Sequence, residues 1–170
     1  MKFPSLSKFL IFLFFMVVSC SKDEPTPAER LVGNWSTGTV TLNIKVGDMT
    51  LNQYLVSTGV SATEAILYTA LINSTMQSYF TGELQVNADK TFTFKTTSST
   101  TTATGTWSID DEGKELTLSS SVGLGGVFEI TEFTATKLNL HSLQNLDPAT
   151  FGYALPSSLT IDLTLIFFKE

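Results

Sequence analysis

The sequence predicts a mainly β fold, an eight-stranded antiparallel up-and-down β-barrel with a helical insert between its first and second strands. Three observations lead there. From Leu31 onward, apolar residues recur with a period of two; in 159–168, Leu159, Ile161, Leu163, Leu165 and Phe167 share one face and Thr160, Asp162 and Thr164 the other. Short turn-forming stretches separate these runs, as short antiparallel connections require. One segment, 61–80, abandons period two for spacings of three and four.

The first strand is expected over 34–46. Val40, Leu42, Ile44 and Val46 share one parity and Trp35 has the other, so a bulge or sharp bend is expected near Gly38. The insert follows. Thr50-Leu51-Asn52-Gln53 and Ser61-Ala62-Thr63-Glu64 both fit a capping box, and Gly59 offers a stop between them, giving helices over 51–58 and 62–79. The longer helix carries Ile66, Leu67, Tyr68, Leu71, Ile72, Met76, Tyr79 and Phe80. So wide an apolar arc must cover something. The expectation is that it seals an open barrel end with Leu71 and Ile72 buried; packing on the outer wall is the alternative.

Seven further strands are expected at 82–87, 91–97, 101–109, 114–119, 126–133, 137–142 and 158–168, with turns at 87–90, 110–113 and 134–136. Closure into a barrel removes exposed sheet edges. Trp35, Phe92, Phe94, Trp107 and Phe128 then face the interior, where they either fill it or contact a ligand. The polar run 97–104 reads as a hairpin tip or a glycosylation target. The long loop 144–157, carrying Phe151, Tyr153 and Leu155, reads as packing over the barrel mouth or as a recognition loop.

The N-terminus has its own logic. Lys2 and Lys8 precede an uncharged apolar run over 9–18, too short for a bilayer that needs roughly 20 residues and suited to a signal peptide. It ends at Cys20, the only cysteine, which therefore forms no internal disulfide. Val17-Val18-Ser19-Cys20 resembles the lipobox of bacterial lipoproteins, which implies lipidation of Cys20 and cleavage before it. Ser21-Lys22-Asp23-Glu24 resembles the export signal that sends Bacteroidota lipoproteins to the cell surface; an ordinary solvated charge cluster is the other reading. The organisation is then a signal peptide over 1–19, a lipidated tether over 20–29 stiffened by Pro25 and Pro27, and one domain over 30–170. The implied address is the outer membrane, lipid-anchored and facing the cell exterior, with the periplasmic face as alternative.

Charge and chemistry exclude several classes. Removing 1–19 takes away two lysines and no acid, so the formal charge of −6 becomes −8. Such a domain is repelled by phosphate backbones, and nucleic acid is not an expected partner. His141 is the only histidine and sits at a polar strand position, so no histidine- or cysteine-rich metal site and no serine–histidine arrangement is expected. The glycine-rich 121–126 has no lysine and opens no helix, unlike a phosphate loop. No cofactor and no enzymatic activity are expected.

Leu31-Val32-Gly33-Asn34-Trp35 is similar to the G-x-W signature of lipocalins. With 82–94, 105–119 and 130–140, it resembles the lipocalin-like domains of Bacteroidota lipoproteins over most of 31–168. The helical insert departs from secreted lipocalins, whose barrels bind small apolar ligands. The resemblance implies a non-enzymatic binding module for a small apolar or amphipathic ligand. A filled barrel that docks a protein or envelope partner is the competing reading.

Overall fold

The computed structural model describes residues 24–98, 102–120, 124–146 and 159–170, with the side chain of Leu146 left aside. Among them are three helices and nine strands. Helix α1 (Pro27–Leu31) leads into β1 (Gly33–Val46) and the two-residue β2 (Met49–Thr50). Helices α2 (Leu51–Ser57) and α3 (Ala62–Phe80) follow. The remaining strands are β3 (Gly82–Val86), β4 (Thr91–Thr96), β5 (Thr102–Ile109), β6 (Glu115–Ser120), β7 (Gly126–Phe133), β8 (Lys137–Leu146) and β9 (Leu159–Lys169).

The sheet runs β2-β1-β3-β4-β5-β6-β7-β8-β9, and β9 also pairs with β1. Every pairing is antiparallel. Leaving out the short β2, this is the expected closed eight-stranded barrel with helices inserted before β3. The expected bulge is present, since the β1–β9 register slips between Thr37 and Thr39, across Gly38. The slip brings Trp35 and Leu42, Ile44 and Val46 to the same buried side. The Phe168 ring lies against the bare backbone of Gly38, so a side chain at that position would displace the ring.

Both expected capping boxes form. The hydroxyls of Thr50 and Ser61 accept from the backbone N–H of Gln53 and Glu64, and those side chains accept in return from the cap backbone. Gly59 lies between the helices at φ 97°, where a side chain would be strained.

The segment read as tether is folded from Thr26 on. Thr26 and Glu29 make a third capping box, with Pro27 in the first turn, where proline's missing N–H costs nothing.

Antiparallel order sorts the connections between two ends. The β3–β4, β5–β6 and β7–β8 turns lie at one, with α1 and the start of β1. Helices α2 and α3 lie at the other. The interior is one apolar cluster, in which Trp35, Phe92, Phe94, Phe128 and Phe167 are all fully buried.

Candidate functional site

The end carrying α1 is tied off. Leu31 is fully buried, and its carbonyl accepts from Trp35 Nε1 at 2.7 Å. Lys169 Nζ, from the end of β9, donates to the Arg30 carbonyl at 2.7 Å and lies 5.1 Å from the Trp35 ring. The Arg30 guanidinium sits 4.6 Å over Phe133, whose ring is 6.3 Å from Trp35. These contacts satisfy two of the carbonyls left free at the end of a one-turn helix and tie it to the barrel. Trp107, read from the sequence as interior, is buried on β5; its Nε1 donates to the Asn87 carbonyl, and Lys90 Nζ lies 3.9 Å from its ring.

The other end is built differently. The pairing of β1 with β3 spans Gly33 to Ser36, and β2 covers its edge only at Lys45 and Val46. Between them α3 supplies partners. Gln77 Nε2 donates to the Val40 carbonyl at 3.3 Å, and Thr37 Oγ1 donates to the carbonyls of Phe80 and Gly82. Ile72, Met76 and Phe80 pack on the barrel core from this position, as do Tyr54 and Leu55 of α2. In α3 only Ala65 is fully buried.

The expectation for Leu71 is overturned. Its side chain is 63% exposed, while Ile72, its neighbour, packs inward. At about 100° per residue, Ala65, Thr69, Ile72, Asn73, Met76 and Phe80 share the inward arc, and Ile66, Leu67, Tyr68, Leu71 and Tyr79 fall outside it. Those five are 44–65% exposed. Val56 of α2 and Met49 of β2 add to the exposed apolar surface. The sequence carried a signal for this: a core-facing stripe needs little more than 100° of arc, and this helix is apolar well beyond that.

His141 lies on the outer wall. Its Nε2 is 2.9 Å from Asp162 Oδ1 and its Nδ1 is 3.5 Å from Glu129. Beside it, an open depression of about 410 Å³ is lined by Glu115, Val127, Glu129 and Leu143 among others. Ser142, the next residue, points to the other face, where its hydroxyl donates to the Val127 carbonyl at 2.8 Å. Strand alternation thus keeps this serine and this histidine apart. Among the described residues no group of three or more His, Cys, Asp or Glu side chains is arranged to hold a metal ion, and no helix is long and apolar enough to cross a membrane.

Three surface carboxylates are held below their ordinary range by hydrogen bonds to their charged form. Glu29 is held by the backbone and hydroxyl of Thr26, Asp89 by the hydroxyl and backbone of Thr91, and Asp110 mainly by the Glu115 N–H. Each fastens a turn or a cap.

The interior residues named from the sequence, Trp35, Phe92, Phe94, Trp107 and Phe128, are thus all buried and share one cluster. Cys20, Ser21, Lys22 and Asp23 lie outside the described residues, as do Phe151, Tyr153 and Leu155; Glu24 is exposed.

A closed antiparallel barrel of eight strands with one apolar interior is compatible with the lipocalin-like architecture and is a common scaffold for binding. Comparison of the chain with protein-family models and with curated proteins finds no match.

Proposed function

We propose that this chain is a non-enzymatic interaction module, a packed barrel that presents an apolar helical surface to a partner in the cell envelope. The observation that carries the proposal is the division of α3. Ile72, Met76 and Phe80 complete the barrel core, while Ile66, Leu67 and Leu71 stand in solvent. Apolar patches of this kind on a folded surface mark interaction sites more often than they mark chance.

The anchor belongs to the same proposal. The apolar run 9–18, Ser19 and the lone Cys20 support lipidation at Cys20, and Ser21, Lys22, Asp23 and Glu24 support display on the outer face of the outer membrane. In cells fed a fatty-acid analogue, Cys20→Ala is expected to abolish labelling; undiminished labelling contradicts the anchor. An antibody against the domain is expected to stain intact cells, and staining only after permeabilisation places the protein on the periplasmic face.

A second reading, a small amphipathic ligand held between α3 and the barrel, has one observation in its favour. Thr69 Oγ1 and Asn73 Oδ1 on the inward arc, and Thr96 Oγ1 at the end of β4, are buried without a hydrogen-bond partner. Groups of this kind call for water or a polar ligand atom. Native mass spectrometry of the protein purified from its own host separates the readings: a retained small molecule favours the ligand, and a retained protein favours the interaction surface.

A further inference from the structure

We infer that the occupant of the outward face of α3 is a second copy of this chain, docked by antiparallel pairing of the two α3 helices about a two-fold axis. The inference rests on the interaction reading above and names its partner.

The face is self-complementary in shape. Leu67, Leu71, Ser74 and Ser78 follow spacings of four, three and four and so form one stripe along the helix. Large residues occupy its first half and small ones its second. A two-fold axis crossing between positions 72 and 73 sets Leu71 of each copy over Ser74 of the other, and Leu67 over Ser78. Large then meets small along the whole seam, the pattern that lets facing helices interdigitate. Leu67, Leu71 and Ser74 are exposed, and Ser78 is half-buried.

The composition of the face also suits a homodimer. At 44–65% exposure, Leu67, Leu71 and the flanking Tyr68 present on the order of 350 Å² to the seam, within the range of the largest patch on a typical monomer. Interfaces between identical copies are also the more apolar kind.

Charge favours a copy over a lipid surface. Glu64 is the only charged residue of α3, and no basic residue lies between Lys45 and Lys90. Helices that lie in anionic membrane surfaces carry Lys or Arg along their polar face. In the antiparallel pair the two Glu64 carboxylates sit at opposite ends, about 25 Å apart along the axis. That is well beyond the ~8 Å screening length, so two acidic copies meet without repulsion at the seam. The helix dipoles also oppose, which is the favourable arrangement.

The test uses the full chain produced in its own cells. Chains carrying Leu71→Cys and Ser74→Cys are co-produced and oxidised. The expected product is a disulfide-linked pair at twice the chain mass, at least about tenfold above Ser119→Cys on the exposed barrel wall. Adding Leu67→Glu to both chains is expected to reduce the product at least about tenfold while circular dichroism shows the fold unchanged. The parent chain, with Cys20 alone, is the control for the native thiol.

A yield equal to that of Ser119→Cys overturns the second copy. A product joining the chain to a different protein also overturns it, while leaving the interaction reading intact. If Leu67→Glu lowers flotation with phosphatidylethanolamine–phosphatidylglycerol vesicles and leaves pairing unchanged, the face binds lipid and the inference is wrong. Absence of any product overturns the inference, and absence also of any protein retained in native mass spectrometry removes the interaction reading of this face.

Discussion

The two ends of this barrel are both covered by helices that start with capping boxes, yet they finish differently. At the α1 end a single turn is bound on every side: Trp35 and Lys169 take the carbonyls of Leu31 and Arg30, and Arg30 rests on Phe133. At the other end a 19-residue helix spends one arc on the barrel and leaves the rest apolar and in solvent. The difference separates residues that hold the fold from residues that the fold displays. A short helix cannot be stable without tertiary contacts, so all of α1 is structural. A long helix fixed by Ile72, Met76, Phe80 and Gln77 can hold its outer residues for another use.

The contrast can be broken most strongly at Trp35. Trp35→Ala removes a fully buried indole and its hydrogen bond, and a loss of about 3–5 kcal/mol in denaturant unfolding followed by circular dichroism is expected. Trp35→Phe keeps much of the volume but leaves the Leu31 carbonyl without its partner, for about 1–3 kcal/mol. Lys169→Met removes the donor to Arg30 and the cation over Trp35, with an expected cost of about 1 kcal/mol by the same measurement. At the other end Gln77→Ala uncovers the Val40 carbonyl on the unpaired edge of β1, and a loss near 1 kcal/mol is expected.

Acid sharpens the comparison in a finer way. Asp110 and Glu29 fasten the α1 end, and Asp89 the neighbouring β3–β4 turn; all three are held below the ordinary carboxylate range. A depressed folded-state pKa gives stability that is present above the unfolded value and lost as pH falls through the folded one. The melting temperature is therefore expected to fall below about pH 4, the ordinary carboxylate value. Asp110→Asn is expected to flatten part of that fall and to leave the profile near neutrality almost level with its own plateau. An unchanged acid slope in Asp110→Asn would show that other groups govern it.

What was legible in the sequence was local. Period-two alternation placed the eight barrel strands, because each buries one face of a pleated ribbon. The parity conflict between Trp35 and Val40 located the bulge at Gly38, because a strand cannot turn both inward without an extra residue. Capping boxes at Thr50 and Ser61 located the helices. The same signal at Thr26 and Glu29 was masked by two prolines that suggested a linker, although proline in a first turn favours a helix.

Less legible was whatever depends on distant partners. Strand β8 pairs with β9 as far as Leu146; the alternation of Leu138 and Leu140 continues, but with polar Ser142 inward onto the Val127 carbonyl and Leu143 outward, so the polarity pattern that marks a strand is lost there. Which arc of α3 faces the barrel was hidden for a similar reason. Both arcs are apolar, and the choice is made by the open stretch of β1 that Gln77 covers.

The most direct test of this division compares two adjacent residues of α3. Ile72→Ala and Leu71→Ala remove similar side chains one position apart, one from the inward arc and one from the outward. Unfolding free energies of both are measured by chemical denaturation with tryptophan fluorescence. A loss of about 2 kcal/mol or more is expected for Ile72→Ala, and below about 0.5 kcal/mol for Leu71→Ala at protein concentrations where the chain is monomeric. Equal losses in the two variants would mean that Leu71 belongs to the core, and that α3 has no face set aside for a partner.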